Sequence, residues 1–184
     1  NANGDHIFFN RTTLTPNPLF FDHCDAVLDM LEPFGFAVYI VVLWWNQVMS
    51  IVRQESPDIC RSFGHWLGAR WRHRRNLLWV LGGDTPWLDT DMPFFRAMAE
   101  GLRSANATQL ISFHPQTEHS SSEHLGLEPW MDFHSVQIHA DDNWSNQCNQ
   151  RCPTCGCNLI AETAATDLDL GKPSLVAETN YYWK

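Results

Sequence analysis

Residues Asn76 to Asp84 read NLLWVLGGD. Leu77 to Leu81 form an unbroken apolar run of strand length. Such a run, without polar alternation, suits a strand buried on both faces, as in a parallel sheet. Gly82 and Gly83 then allow the backbone to turn tightly. Asp84 therefore falls at the C-terminal end of a buried strand, the end at which parallel α/β architectures present side chains to ligands.

The flanking sequence repeats the unit. Upstream, Ser56-Pro57-Asp58 starts a helix with the apolar stripe Ile59, Phe63, Trp66, Leu67 and Trp71. Before it, Phe36 to Leu43 is a second continuous apolar, β-branched run. Asn17-Pro18 supplies a helix N-cap with proline at the first helical position. Phe20, Cys24, Val27, Leu28 and Leu31 follow at helical spacing, and Pro33 and Gly35 stop that helix. Asn1 to Pro16 reads as loop. Downstream come a helix over about Met92 to Arg103, a strand from Gln109 to His114, and a polar loop holding Ser120 to Ser122. A strand from Ser135 to His139, a cysteine-bearing loop, a helix over about Asn158 to Leu170 and a strand from Ser174 to Glu178 complete the pattern. Strands alternating with helices predict a parallel sheet with right-handed crossovers, in one domain spanning residues 1–184. This pattern fits a TIM barrel or an open doubly wound sheet. No G-x-G-x-x-G follows a strand, which argues against a dinucleotide site. Trp45, Asp84, His114, His139 and Glu178 gather at strand C-terminal ends, where either architecture would build a site.

Composition removes several function classes. The net charge is −9, and the basic cluster from Arg70 to Arg75 sits at a predicted helix end, where it favours the helix dipole. A nucleic-acid partner is not expected. No apolar run reaches the ~18–20 residues of a membrane span. With 44% hydrophobic and 18% charged residues the chain has the means to fold. Four of the six cysteines, Cys148, Cys152, Cys155 and Cys157, crowd into one loop with spacing C-x3-C-x2-C-x-C. Zinc ribbons place a longer loop between their pairs, so local disulfides or free thiols rank ahead of a metal site. Cys24 and Cys60 stand in helical patterns and read as small buried residues.

Six short motifs occur in order: FGHWLGAR (63–70), NLLWVLGGD (76–84), AEGLR (99–103), LISFHP (110–115), WMDF (130–133) and VAETN (176–180). In this order and spacing the chain resembles the apiosidase-like glycoside hydrolases, family 140 and its relatives, from about Asn17 to the C-terminus. The resemblance implies a (β/α)8 TIM barrel with a glycosidase site, an acid/base at the end of strand four and a nucleophile at the end of strand seven. Asp84 matches the acid/base and Glu178 the nucleophile. The implied partner is carbohydrate, with apioside-like side chains of plant or microbial polysaccharides as the substrate class. No cofactor is implied, and the expected location is secreted or periplasmic. The rival readings are a non-catalytic carbohydrate-binding remnant of such a barrel and a zinc-ribbon module.

The chemistry explains why two carboxyl groups are wanted. A glycosidic bond breaks through an oxocarbenium-like transition state, in which one carboxyl protonates the leaving oxygen and the other attacks or stabilises the anomeric carbon. Without the resemblance, Asp84 reads as a turn or cap residue and Glu178 as half of a buried ion pair. His114 and His139 end strands and are candidates for binding sugar hydroxyls, as is Gln137, which shares a strand face with His139. Trp45 is a candidate stacking platform, with Trp44 turned away into packing. Asn180 follows the nucleophile and is placed to orient it or the sugar.

If Asp84 ends strand four and Glu178 ends strand seven, the chain holds about strands three to seven, and the barrel is expected to be incomplete. A whole barrel needs about 250 residues against the 184 present. Inner residues such as Trp79 are then expected to be less covered.

Overall fold

The structure is a computed structural model that describes residues 1, 3–44, 48–85, 88–116, 119–137 and 165–178, with the side chains of Thr85 and Glu178 outside that description. Trp45, His139, Asn180 and the cluster Cys148, Cys152, Cys155 and Cys157 lie outside the described residues. In chain order the elements are β1 (Phe8–Asn10), β2 (Thr15–Pro16), α1 (Pro18–Leu31), β3 (Val38–Val42), α2 (Ser50–Val52), α3 (Asp58–Trp71), β4 (Leu77–Thr85), α4 (Met92–Ser104), β5 (Ile111–Pro115), β6 (His119–Ser120), α5 (Ser122–Leu125), β7 (His134–Gln137) and β8 (Ser174–Glu178).

Helix α1 starts as its sequence dictates. The Asn17 side chain accepts the Leu19 N–H at 3.1 Å, Pro18 occupies the first turn, and Gly35 takes φ 71° after a short 3-10 turn over Glu32–Phe34. Strands β3, β4 and β5 form a parallel sheet in that order, in which Val38 to Val42 pair with Leu77 to Leu81, and Trp79 to Gly82 with Ile111 to His114. A second sheet holds β6, β7 and β8, with β6 antiparallel and β8 parallel to β7. The sheets adjoin at β5 and β7. Asp132 N–H donates to the Ile111 carbonyl at 2.8 Å, and the Asp132 carboxylate accepts the Ile111 N–H at 2.7 Å and Arg103 at 2.6 Å. The aspartate of WMDF thus stands in for a strand partner, and the arginine of AEGLR holds it there.

One sheet face packs on the helices. Trp79 stacks on Trp71 of α3 with centroids 5.9 Å apart, and Phe113 meets Phe95 of α4 edge-on at 5.1 Å. Such aromatic pairs add about 0.5–1.5 kcal/mol each beyond their area burial. The glycines of FGHWLGAR and AEGLR belong to the α3–α4 crossing. A Cβ on Gly101 would overlap the Arg61 carbonyl, and one on Gly64 would sit 2.5 Å from the Met98 carbonyl.

The other face carries Tyr39, Val41, Leu78, Val80, Ser112, His114, Ser135, Gln137 and Leu175, as the registers require. Ser112 Oγ donates to the Phe133 carbonyl at 2.8 Å and so accepts from Ser135 Oγ at 2.8 Å, while Tyr39 donates to Ser135 Oγ at 3.3 Å. Burial pushes the Tyr39 phenol above its ordinary pKa. On a flat sheet β3 and β7 would stand about 14 Å apart, three strand spacings. Contact between Tyr39 and Ser135 therefore requires the sheet to curl strongly towards this face.

Three expectations are corrected. Asn1 to Pro16 is not all loop: β1 and β2 pair antiparallel, because Phe8 is buried edge-on against Phe63 at 5.0 Å. Ser120 to Ser122 are not a plain loop: Ser120 ends β6, Ser122 starts α5, and Ser121 between them accepts the Ser135 N–H on Oγ at 2.9 Å. Trp79 is not under-covered; it is 0% exposed because it faces the helix layer rather than the inner face. Arg70 does stand in the last turn of α3, and it also pairs with Asp22 and Asp25 of α1, as Arg74 does with Asp29. Cys60 is fully buried and Cys24 half-buried. Among the described residues no helix is long and apolar enough to cross a membrane.

Candidate active site

The regular β4–β5 ladder breaks where the glycines begin. Its register shifts between Gly82 and Thr85, and Gly82, Gly83 and Asp84 take φ of 81°, 125° and 47° in succession. Such a bulge re-aims the side chain it carries. Glycine is needed at both positions. A Cβ on Gly83 would stand 2.5 Å from the Trp44 ring, and one on Gly82 2.7 Å from the Phe113 ring. Aspartate is among the few other residues that enter the left-handed region readily. The bulge leaves Asp84 exposed above a buried sheet. At the end of β3, Leu43 also has positive φ, 60°, so two neighbouring strand ends depart from extended geometry at this rim.

Three side chains meet around Asp84. Gln137 at the end of β7 donates from Nε2 to Asp84 Oδ1 at 2.7 Å. His114 at the end of β5 lies beneath, with Nδ1 3.0 Å from the Pro115 carbonyl. Asp84 N lies 3.5 Å from the same nitrogen, so the His114 tautomer decides whether Nδ1 donates to Pro115 or accepts from Asp84. Trp44 completes the group, its ring tilted against His114 at 6.0 Å. Gln137 is 4% exposed and His114 6%, so a ligand reaching this rim meets Asp84 first.

The β7–β8 ladder sets the position of Glu178. His134, Ser135 and Val136 pair with Ser174, Leu175 and Val176, but Gln137 pairs with Glu178 because the register shifts by one residue. An unbroken ladder would place Ala177 there. One residue of slip exchanges the faces of a strand, so the irregularity decides which residue stands level with Gln137. Glu178 thus lies one strand spacing, about 4.8 Å, from the residue that holds Asp84.

Of the residues singled out from the sequence, the structure brings Asp84, His114 and Gln137 together, with the backbone of Glu178 alongside. Trp45, His139 and Asn180 lie outside the described residues. Trp44 is a correction: it is not turned away into packing but fills the space left by Gly83 next to His114. The hydroxyl chain of Tyr39, Ser112 and Ser135 was also missed. Period-two counting back from His114 and Gln137 reaches Ser112 and Ser135, so that signal was present. Among the described residues no three His, Cys, Asp or Glu side chains converge on a metal position.

The family model for the apiosidase-like catalytic domain matches residues 1–181. No curated protein matches the chain. Among solved structures the chain is similar to a glycoside hydrolase family 5 protein from Bacteroides vulgatus ATCC 8482, at 21% identity and TM-score 0.71, over 89% of this chain and 35% of that one. It is also similar to a structure described as a glycoside hydrolase, at 20% identity and TM-score 0.66, over 89% of this chain and 37% of that one. At these identities the likeness is one of fold, and the chain spans little more than a third of either structure.

Proposed function

The chain belongs to the apiosidase-like catalytic-domain family, and on that premise we propose that it carries the acid pair of a retaining glycosidase acting on apioside-like side chains of plant or microbial polysaccharides. One observation carries the reading: Gln137 hydrogen-bonds Asp84 at 2.7 Å and is the register partner of Glu178, so the two acids flank one residue. In the first half of the reaction Asp84 gives its proton to the leaving oxygen as the glycosidic C–O bond breaks, and a Glu178 carboxylate oxygen bonds to the anomeric carbon. In the second half Asp84 takes a proton from water, the water oxygen bonds to the anomeric carbon, and the Glu178 ester bond breaks. His114 and Trp44 border the position of the sugar, and Trp45, His139 and Asn180 are assigned to substrate binding on the family resemblance.

The strands β3, β4, β5, β7 and β8 correspond, in this reading, to strands three to seven of a (β/α)8 barrel that is incomplete within residues 1–184. The curl of the sheet supports it. So does Leu175, an inner-face residue that is 44% exposed. Among the described residues no strand pairs with the outer edge of β3, where an apolar groove of about 900 Å³ runs between α1 and β3.

The test is hydrolysis of an aryl apioside by the full chain, compared with aryl glycosides of common pentoses and hexoses. Release of the phenol from the apioside, lost in Glu178→Gln, is the expected result. Apioside binding without turnover would replace this reading with that of a carbohydrate-binding remnant.

A further inference from the structure

We infer that Gln137 is a positioning residue that holds Asp84 in place in both of its protonation states; this rests on the glycosidase reading above. A retaining cycle needs one carboxyl group to give a proton in the first half and take one in the second. Whatever holds that group must suit a carboxylate and a carboxylic acid in turn. A carboxylate only accepts hydrogen bonds, whereas a carboxylic acid also donates one. A primary amide carries a donor and an acceptor on one planar group and changes neither with pH. With Asp84 ionised, Gln137 Nε2 donates to Oδ1, the 2.7 Å bond observed. With the proton on Oδ1, half a turn about the last side-chain torsion presents Oε1 as the acceptor at the same place.

The setting favours this role over direct sugar binding. Gln137 is 4% exposed, lies at the end of β7 beneath an exposed Asp84, and donates to Asp84 at 2.7 Å. Its strand partner is Glu178, so the residue that fixes Asp84 is itself fixed relative to the other acid. Asp84 needs such a hold, because it rides on a bulge of three consecutive positive-φ residues. Arginine or lysine at position 137 would suit only the ionised carboxylate, and leucine would suit neither form.

Two measurements test the inference in the full chain. In the first, the Gln137 side-chain amide resonance, assigned by its loss in Gln137→Leu, is followed from pH 3 to pH 8. It is expected to titrate, and Asp84→Asn is expected to abolish that titration. In the second, kcat/KM is measured for two aryl apiosides, one with an unactivated phenol and one with a dinitrophenol that leaves without a proton. Gln137→Leu and the isosteric Gln137→Glu are expected to lose at least ~10-fold on the unactivated substrate and less than ~3-fold on the activated one, as for a disturbed general acid. Equal losses on both substrates would reduce Gln137 to a structural role and overturn the inference. So would an amide resonance that is flat, or that titrates unchanged in Asp84→Asn. If the unsubstituted chain turns over neither substrate, the glycosidase reading fails, and the amide titration alone still decides whether Gln137 follows the proton on Asp84.

Discussion

Gln137 reaches across β5 to bond Asp84 at 2.7 Å, joining the ends of β4 and β7. The two residues are 53 positions apart in the chain and come from strands that do not pair with each other. The bond forms because the sheet curls and because the Gly82–Gly83 bulge lifts Asp84 towards the inner side. It places Asp84 beside the residue whose register partner is Glu178.

The carboxyl groups of Asp84 and Glu178 are expected to lie roughly 5–5.5 Å apart, the spacing of retaining glycosidases. A crystal structure of the chain would measure this directly. A separation beyond the ~6.5–9.5 Å of inverting enzymes would remove the pairing.

Gly83→Ala is expected to damage the site and the fold together. The new methyl group would stand 2.5 Å from the Trp44 ring, at a φ of 125° that L-residues avoid. Strain of this kind costs about 1–3 kcal/mol. The denaturant midpoint should fall accordingly, with Trp44 fluorescence altered. A variant as stable as the parent would show that the bulge is not held by this contact.

Asp132→Ala should weaken the junction between β5 and β7. It removes the acceptor for the Ile111 N–H and for Arg103. Leaving a buried donor unsatisfied costs about 1–3 kcal/mol. Asp132→Asn keeps a carbonyl acceptor and should recover part of the loss in chemical denaturation. Equal destabilisation by the two variants would mean that packing, not the hydrogen bonds, holds the junction.

Folding stability should fall as the pH drops below about 6.5, through His134. This side chain is 0% exposed, with Nε2 3.9 Å from Asp167 and Nδ1 3.4 Å from Ser121 Oγ. Burial pushes its pKa below the ordinary value of 6.5; the Asp167 charge opposes that shift and Lys172 adds to it. The folded state therefore binds fewer protons than the unfolded chain between the depressed value and 6.5, and stability rises with pH through that window. His134→Gln should flatten the dependence between pH 5 and 7 while lowering stability overall. An unchanged slope in that variant would assign the effect to another group.

Much of the fold is legible in the chain itself. Leu77 to Leu81 declare a doubly buried strand because nothing in them tolerates water, and Asn17-Pro18 declares a helix start because its side chain and ring satisfy the first turn. These are local effects, settled within a few residues. The motif glycines were legible as special but not in their purpose. Gly64 and Gly101 allow two helices to touch, while Gly83 makes room for the Trp44 indole just beyond the end of β3.

By itself the sequence determined the main alternation of strands and helices, since this depends on residue type and spacing along the chain, and its motifs carried the family resemblance from which Asp84 and Glu178 are read as candidate acids. Only the tertiary structure decided that Trp44 turns to the site, that Trp79 faces the helices and that Gln137 bonds Asp84. It also decided that Glu178, rather than Ala177, stands level with Gln137. Each depends on a face or a register. A bulge of one residue exchanges the faces of the residues beyond it, and its position is set by packing between strands distant in the chain.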